Sequence, residues 1–257
     1  MSLESGSLTL RRFYIQSRVK ASSDSSWVEK LKTNAFVDRK LDMEDENMGW
    51  SVFGDELATD FRIDNTAFGK FIVFSFRKDQ IKVPSGSIIE AFTLEATGGQ
   101  LNINSTLEDF EKVDMDKVHT LTGPIYVESA EVGDVLAVEL LDLEPGDWGW
   151  TGMGPEFGFL AGETEAKGFK TYKLDKENNL VHFSDDISIP MRPFPGVMGV
   201  APNTEEMLTT FPPRANGGNM DDPNLVKGVT VYFPVFVKGA LFSIGDAHAV
   251  QGLGEVV

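Results

Sequence analysis

From residue 68 onward, short runs of β-branched and aromatic residues alternate with Gly and Pro. The runs occupy residues 71–76, 87–94, 135–143, 196–200 and 229–244. Such side chains favour strands, Gly and Pro interrupt them, and this spacing is typical of sandwiches and barrels. The pattern therefore predicts a mainly β fold. It also predicts a long loop over 144–168, where Gly, Trp and Phe are frequent.

The first 65 residues differ in composition and hydrophobic patterning from the rest of the chain. They are polar and charge-mixed, with weak hydrophobic periodicity, and they predict a poorly defined N-terminal arm. Residues 66–257 then form one β domain, which is long enough to bury a sizeable core. There is no apolar run of about 18 residues and no signal-peptide pattern, so we expect a cytoplasmic protein without a membrane segment.

The charge balance narrows the classes of ligand. A net charge of −17 disfavours nucleic acids and anionic membrane surfaces, because their phosphates would be repelled. The chain has no Cys, which excludes disulfides, thiolate nucleophiles and Cys-based zinc sites. A neutral or cationic small molecule, or a metal ion, is the partner that this composition favours.

Two segments share one pattern, in which a turn Gly opens a strand and an acid closes it. Glu95 follows Gly86 by nine residues, and Asp142 follows Gly133 by nine residues. Because side chains alternate along a strand, each acid ends a largely apolar face at the rim of the core. For Glu95 a functional role and a simple strand-ending role are equally compatible with this pattern. For Asp142 the strand-ending role is favoured.

The last thirteen residues carry the strongest chemical pattern in the chain. After an apolar strand over 231–244, the polar residues Asp246, His248, Gln251 and Glu255 are interleaved with Gly and Ala. Small residues permit close backbone approach to a ligand, while carboxylates and imidazoles bind metals and transfer protons. The pattern predicts an active-site loop at the end of a strand, with Asp246 and His248 projecting to the same side.

The remaining candidates are less specific. His182 lies in a strand-like run between acids, which indicates a structural or surface role. His119 precedes a turn into a strand, and its position is compatible either with loop packing or with a site role. The segment 216–222 contains Gly217, Gly218, Asn219 and Asp221, which could bind a ligand, although an ordinary loop is the more frequent meaning of such a pattern.

Several of these segments, in register, resemble the acetamidase/formamidase family. The similar stretches are VPSG at 83–86 with TLEATGGQL at 93–101, TGPIYVESAEVGD at 122–134, GVMGVAP at 196–202, NGGNMD at 216–221 and GALFSIGDAHAVQGLGE at 239–255. The resemblance covers roughly residues 68–257. It implies a β-sandwich, jelly-roll-like fold with a small α+β appended part, and hydrolysis of small aliphatic amides to a carboxylate and ammonia.

The resemblance also implies site residues and a cofactor. The implied catalytic residues are Glu95, Asn219, Asp221, His248 and Glu255, and the implied substrate-binding residues are Gln100, Gly217, Gly218 and Gln251. Asp246 and His248 would hold a divalent metal, and zinc is favoured over calcium because an imidazole is a ligand. We expect Glu95, Asn219, Asp221, Asp246 and His248 to converge on one cavity. A carboxylate, Glu95 or Glu255, would serve as the general base.

Some positions depart from the family pattern. The family's His and Trp-Asp ahead of its first strand are absent near residues 71–76, Glu95 stands where the family has Asp, and Leu253 stands where it has an acid. The chain also ends just after Glu255, before the family's C-terminal continuation. The alternative is therefore a catalytically inactive member that binds a small molecule or a metal. We also expect a homo-oligomer.

Overall fold

A computed structural model describes residues 2–5, 7–18 and 81–252, except 157, 159, 160, 205 and 207. Its strands, in chain order, are β1 Ser2–Ser5, β2 Ser7–Arg18, β3 Ile81–Val83, β4 Ser87–Leu94, β5 Leu121–Val127, β6 Val135–Pro145, β7 Trp148–Met153, β8 Gly168–Asp175, β9 Leu180–Ser184, β10 Ile187–Pro190, β11 Phe194–Gly199, β12 Gly217–Asn219, β13 Thr230–Pro234 and β14 Phe242–Gln251. Helical structure within the described ranges comprises α1 Leu107–Phe110 and the 3-10 turn Met115–Lys117. The mainly β prediction is confirmed.

The strands form two sheets. The larger runs in the order β10-β9-β8-β7-β1-β14-β11-β12, and β5 pairs with both β14 and β3. The smaller runs in the order β13-β6-β2-β4. β14 is central, because β11 pairs along one edge while β5 and β1 share the other. This strand carries Asp246 and His248, so the rest of the sheet fixes their backbone.

The main core lies between the two sheets. Buried apolar side chains from both sheets form one cluster, which includes Phe242 and Ile244 of β14, Met198 of β11, Leu136 of β6 and Ile89 of β4. Alternation along β4 is regular, since its odd-numbered residues are buried and the even-numbered Glu90, Phe92 and Leu94 are exposed. Burial of apolar area on both inner faces is the main stabilising contribution to such a layered fold.

The C-terminal part differs from the sequence prediction in one important respect. The predicted single strand over 229–244 is two strands, β13 and β14, because Gly239, Ala240 and Leu241 turn the chain with positive φ. Asp246 and His248 then lie within β14 and not in a loop after it. The small residues of this segment, which suggested a loop, instead allow neighbouring backbone to approach β14 closely. A Cβ at Gly245, for example, would lie only 2.7 Å from the Thr120 carbonyl oxygen.

The long loop and the N-terminal arm predicted from the sequence both contain strands. The predicted loop over 144–168 is wrong in part, because β7 crosses it and pairs with β8. The predicted strand over 71–76 lies outside the described residues. Within the predicted N-terminal arm, β1 pairs with β14 and β7, and β2 pairs with β4 and β6. The boundary at residue 65 stays a prediction. Among the described residues, no helix has the length and apolar character needed to cross a membrane.

Candidate functional site

The candidate site is a buried cluster of two carboxylates and one imidazole. Nε2 of His248 lies 3.3 Å from Oδ1 of Asp221 and 3.3 Å from Oδ2 of Asp246. The exposed fractions of the side chains are 1% for His248, 3% for Asp246 and 14% for Asp221, so only Asp221 reaches the edge of solvent. The potential ligand atoms of the three residues all lie within 4.8 Å of one another, which makes the cluster a candidate metal centre.

The sheet positions the three side chains through backbone pairing. In the antiparallel pair of β11 and β14, Phe194 is opposite His248 and Val197 is opposite Gly245, which leaves Gly196 opposite Asp246. The N–H groups of Met220 and Asp221 both donate to the Gly196 carbonyl oxygen, at 3.0 and 3.2 Å. These two hydrogen bonds hold the residues that follow the Gly-Gly-Asn segment, including Asp221, next to Gly196. The Phe194 ring stacks on the His248 imidazole with 4.9 Å between centroids.

Both acids have unusual backbone conformations. Asp221 has φ 44° and Asp246 has φ 51°, in the left-handed region that non-glycine residues seldom adopt. Such conformations persist only where the surrounding structure imposes them, and they concentrate at functional sites. The two carboxylates are therefore held in place by the fold at a cost in conformational energy.

The absence of a side chain at Gly196 leaves the space between the three donors. A Cβ built there would lie 2.5 Å from Oδ2 of Asp246, 2.6 Å from Oδ1 of Asp221 and 2.6 Å from Nε2 of His248. Oδ1 of Asp221 and Oδ1 of Asp246 are buried without a hydrogen-bond partner. Because buried polar atoms are normally satisfied, this donor set fits a divalent cation.

The electrostatics of Asp246 agree with a site for positive charge. Burial of its carboxylate raises the pKa, but the electrostatic interactions with the His119 and His248 imidazoles, together with the hydrogen bond from His248, lower it by more. The pKa of Asp246 therefore lies below its ordinary value. An ionised carboxylate is the form that binds a cation.

His119 is a further titratable side chain beside the cluster. Its Nε2 lies 3.9 Å from Oδ2 of Asp246, and its side chain is 8% exposed. The sequence left its role open, and neither its spacing from His248 nor its local pattern indicated this proximity. The only signal in the sequence was its place immediately before β5, whose partner along one edge is β14.

Glu95 is buried, but its carboxylate is already engaged by its own turn. Its Oε2 accepts from the Thr97 N–H at 2.9 Å and from Nε1 of Trp150 at 3.2 Å. Its Oε1 accepts from the Gly99 N–H at 2.6 Å and from the Thr97 hydroxyl. These four donors make Glu95 an anchor for the turn after β4. The described contacts of its carboxylate do not include the three-residue cluster.

The amide candidates divide into two groups. Nε2 of Gln251 donates to the Asp221 carbonyl oxygen at 2.6 Å, which places Gln251 beside the cluster. Oε1 of Gln251 and Oδ1 of Asn219 are buried without a hydrogen-bond partner. Gln100 instead bridges Thr97 and Asp114 in the loop after β4, through Nε2 to the Thr97 carbonyl oxygen at 2.9 Å and through Oε1 from the Asp114 N–H at 2.8 Å.

The two glycines of the Gly-Gly-Asn segment have a structural role in the backbone of β12. Gly217 has φ 88°, and its N–H donates to the Arg214 carbonyl oxygen at 3.0 Å, so that N–H is not available to a ligand. A Cβ at Gly217 would approach the Met198 carbonyl oxygen to 2.5 Å, which explains the need for glycine. Gly218 is opposite Met198 in the pairing of β12 with β11.

The other candidates lie away from the cluster or outside the described part of the chain. Glu255 belongs to the residues that the structure does not describe. Asp142 is partly exposed and forms an ion pair with Lys227 at 2.8 Å. His182 is on the surface, where Nδ1 contacts the Ser188 hydroxyl at 2.8 Å.

Comparisons by sequence and by fold both find proteins named formamidase or acetamidase. The family model described as Acetamidase/Formamidase family matches residues 78–211 and 203–257. The chain is 28% identical over 234 residues to a formamidase of Methylophilus methylotrophus, covering 68% of this chain and 56% of that protein. It is 30% identical over 234 residues to an acetamidase of Mycolicibacterium smegmatis, covering 68% of this chain and 58% of that protein.

A solved structure extends the comparison to the fold. The acetamidase from Bacillus halodurans superposes with a TM-score of 0.67 at 32% identity, over 75% of this chain and 63% of that one. This chain spans little more than half the length of the curated relatives that it matches. The matched residues include β11, the Gly-Gly-Asn segment and β14, which together build the cluster. The chain belongs to the acetamidase/formamidase family.

Proposed function

We propose that this protein hydrolyses small aliphatic amides to a carboxylate and ammonia. The observation that carries the proposal is the buried Asp221, Asp246 and His248 cluster, built around Gly196 on strands that match the family. The relatives that support the reaction type are named formamidase and acetamidase. Acyl transfer to water needs a polarised carbonyl, an activated water and a protonated leaving nitrogen, and this cluster supports the first of these requirements.

Asp221, Asp246 and His248 would together hold one divalent cation. Their two carboxylates and one imidazole are typical zinc ligands, and three protein ligands leave a position open, as in catalytic zinc sites. A bound zinc ion supplies Lewis acidity toward a carbonyl oxygen. Calcium is disfavoured as the occupant because it prefers six to eight oxygen ligands. Phe194, stacked on the ring of His248, fixes the orientation of that imidazole.

The amide side chain of Gln251, next to the cluster, favours an unsubstituted amide as the substrate. Oδ1 of Asn219 and Oε1 of Gln251 are buried acceptors without a hydrogen-bond partner. An amide –NH2 group brings two N–H donors, so it satisfies acceptors of this kind, whereas an N,N-dialkyl amide does not. We therefore assign Gln251, which contacts Asp221, to recognition of the substrate nitrogen.

The decisive experiment is ammonia release from formamide, acetamide and propionamide, with and without added zinc. We expect turnover that is lost on chelation and restored by zinc. His248→Ala and Asp246→Ala should each lower kcat/KM by at least about a hundredfold, the usual scale for removing a metal ligand or an acid-base group. Circular dichroism would verify that both variants fold.

Absence of turnover by a zinc-loaded wild type would refute the amidase proposal. If such a protein still bound one equivalent of zinc, the result would support the alternative that the cluster serves a metal-binding family member without catalysis. N,N-dimethylformamide is the control substrate, since we expect no turnover of an amide that lacks N–H groups.

A further inference from the structure

Phe211 is a large apolar side chain at the solvent edge of the candidate site. Its ring packs against the His119 imidazole at an angle of 55°, with 5.0 Å between the two centroids. Nε2 of His119 in turn lies 3.9 Å from Oδ2 of Asp246. Phe211 is 41% exposed and His119 is buried, so the phenyl ring covers one side of the imidazole that adjoins the cluster.

Thr210 fixes the start of the loop that carries Phe211. The Thr210 side chain is buried, and its Oγ1 accepts from the His119 backbone N–H at 3.1 Å. The same oxygen lies 2.9 Å from Nδ1 of His119 and 3.3 Å from the Val118 carbonyl oxygen. These contacts join parts of the chain about 90 residues apart, so tertiary structure holds Phe211 over the imidazole.

The residues after Phe211 restrict the loop further. Pro212 and Pro213 follow directly, and the ring of each proline fixes its own φ. Nη1 of Arg214 donates to the Thr209 carbonyl oxygen at 2.9 Å and to the Pro212 carbonyl oxygen at 3.0 Å. The loop is therefore closed on itself, and Phe211 cannot move aside without loss of these hydrogen bonds.

Phe211 and Gln251 are the two ends of one series of contacts through the cluster. The residues of this series, in order of contact, are Gln251, Asp221, His248, Asp246, His119 and Phe211. One end carries the unsatisfied amide acceptor of Gln251, and the other carries an apolar ring. The site therefore has a polar end and an apolar end, with the cation site between them.

We propose that Phe211 determines the acyl specificity of this site by limiting the length of the carbon chain that fits beside the cluster. The inference rests on the proposed amidase function. A primary amide has two N–H donors at its nitrogen and an apolar acyl chain at its other end. With the nitrogen at Gln251, the acyl chain extends toward Phe211. The ring contacts a chain of one or two carbons and blocks a longer one.

The test compares kcat/KM for formamide, acetamide and butyramide in the zinc-loaded wild type and in two variants. Phe211→Ala should raise the ratio of butyramide to acetamide by at least about tenfold, because each methylene that an apolar pocket accepts or rejects changes kcat/KM by roughly that factor or more. Phe211→Trp should lower the ratio of acetamide to formamide by about tenfold for the same reason. Loss of zinc or of stability would lower all three values together and leave both ratios unchanged.

Phe92→Ala is the matched control, since it is the same truncation at a phenylalanine that is 57% exposed on β4. We expect wild-type ratios for this variant. Elemental analysis and thermal unfolding should show unchanged zinc content and folding in all three variants. If Phe211→Ala does not fold, Phe211→Leu serves in its place, because it shortens the side chain and keeps it apolar.

A measurement without turnover tests the same preference. Calorimetric titration with acetate and butyrate, the product carboxylates, should show a gain in butyrate affinity relative to acetate in Phe211→Ala. Unchanged ratios in both experiments, with an active wild type, overturn this inference and leave the amidase proposal in place. An equal loss for all substrates in Phe211→Ala also overturns it, since that result assigns the ring a structural role. If the zinc-loaded wild type turns over no amide, the amidase proposal fails and this inference fails with it.

Discussion

At the scale of single residues, the site depends on a glycine, Gly196, because any side chain at this position would fill the space between the donor atoms. Gly196 lies opposite Asp246 in the pairing of β11 with β14, and the three donor atoms surround the place where its Cβ would be. The acids on either side adopt positive φ, so their carboxylates are held in place and do not adapt freely. The space for a cation therefore depends on Gly196 and on the two acids with positive φ, Asp221 and Asp246.

Gly196→Ala should therefore weaken zinc binding with little effect on the fold. Its methyl group would lie 2.5–2.6 Å from each donor atom, which leaves no room for an ion, while the backbone of Gly196 does not need a positive φ. We expect a loss of at least about tenfold in zinc affinity, measured by competition with a chromophoric chelator.

Gly252→Ala is the matched control for this substitution, because no atom lies within 4 Å of the Cβ that it adds. We expect its zinc affinity to equal that of the wild type. Wild-type affinity in Gly196→Ala would show that the ion binds elsewhere.

At the scale of elements, the turn after β4 illustrates how burial of a carboxylate is compensated. Two backbone N–H groups, the Thr97 hydroxyl and the Trp150 indole all donate to Glu95, and the Gly98 N–H donates to the Glu95 carbonyl oxygen at 2.8 Å. Hydrogen bonds to a charged acceptor are among the stronger ones in proteins. This turn is also hydrogen-bonded to the residue before β5, because the Thr120 N–H donates to the Ala96 carbonyl oxygen at 3.0 Å.

We expect Glu95→Gln to destabilise the fold rather than to impair chemistry alone. The amide replaces one acceptor oxygen by an NH2 group that faces donors, which should lower the free energy of unfolding by about 2 kcal/mol or more. Urea denaturation followed by tryptophan fluorescence would measure the loss. Glu90→Gln, an exposed residue on the same strand, should change stability by less than about 0.5 kcal/mol.

An unchanged stability of Glu95→Gln together with a large loss of amidase activity would contradict this assignment. That result would support Glu95 as the catalytic base, the role that the family resemblance implies. The pair of variants therefore separates an anchoring carboxylate from a reacting one.

At the scale of the whole molecule, the two N-terminal strands belong to different sheets. β1 lies between β14 and β7 in the larger sheet, and β2 lies between β6 and β4 in the smaller one. The register of β2 with β6 runs from Leu8 opposite Pro145 to Arg18 opposite Val135. A strand inside a sheet satisfies the backbone groups of both neighbours, so its removal exposes two ladders at once.

Deletion of residues 1–18 should consequently prevent cooperative folding. We expect the shortened chain to lose the sharp thermal transition of the full chain, and to elute as aggregates in size-exclusion chromatography. A poorly defined arm, as the composition of this region predicts, would be dispensable. A monodisperse deletion variant with an unchanged thermal midpoint would contradict the structural role of β1 and β2.

Local sequence was sufficient for the features that depend on local pattern. The run at 87–94 matches β4, and the alternation that placed Glu95 on a buried face with Ile89, Ala91 and Thr93 agrees with the structure. Asp246 and His248 were expected on one side of an extended chain, and their side chains approach to 3.3 Å. The placement of Glu95 follows from the two-residue period of a strand, which any segment carries by itself. At Asp246, whose φ is 51°, the backbone is not extended, so this period alone does not account for its contact with His248.

Only the tertiary structure decided the rest, because it depends on which strands become neighbours. Pairing with β11 placed Gly196 opposite Asp246 and created the space at the cluster, and pairing with β5 brought His119 within 3.9 Å of Asp246. Strand pairing also made β14 a central strand where small residues suggested a loop. The sequence by itself determined the mainly β class and the chemical character of the site, since these follow from local periodicity and residue type. The partners of each site residue follow from long-range register, which no local pattern encodes.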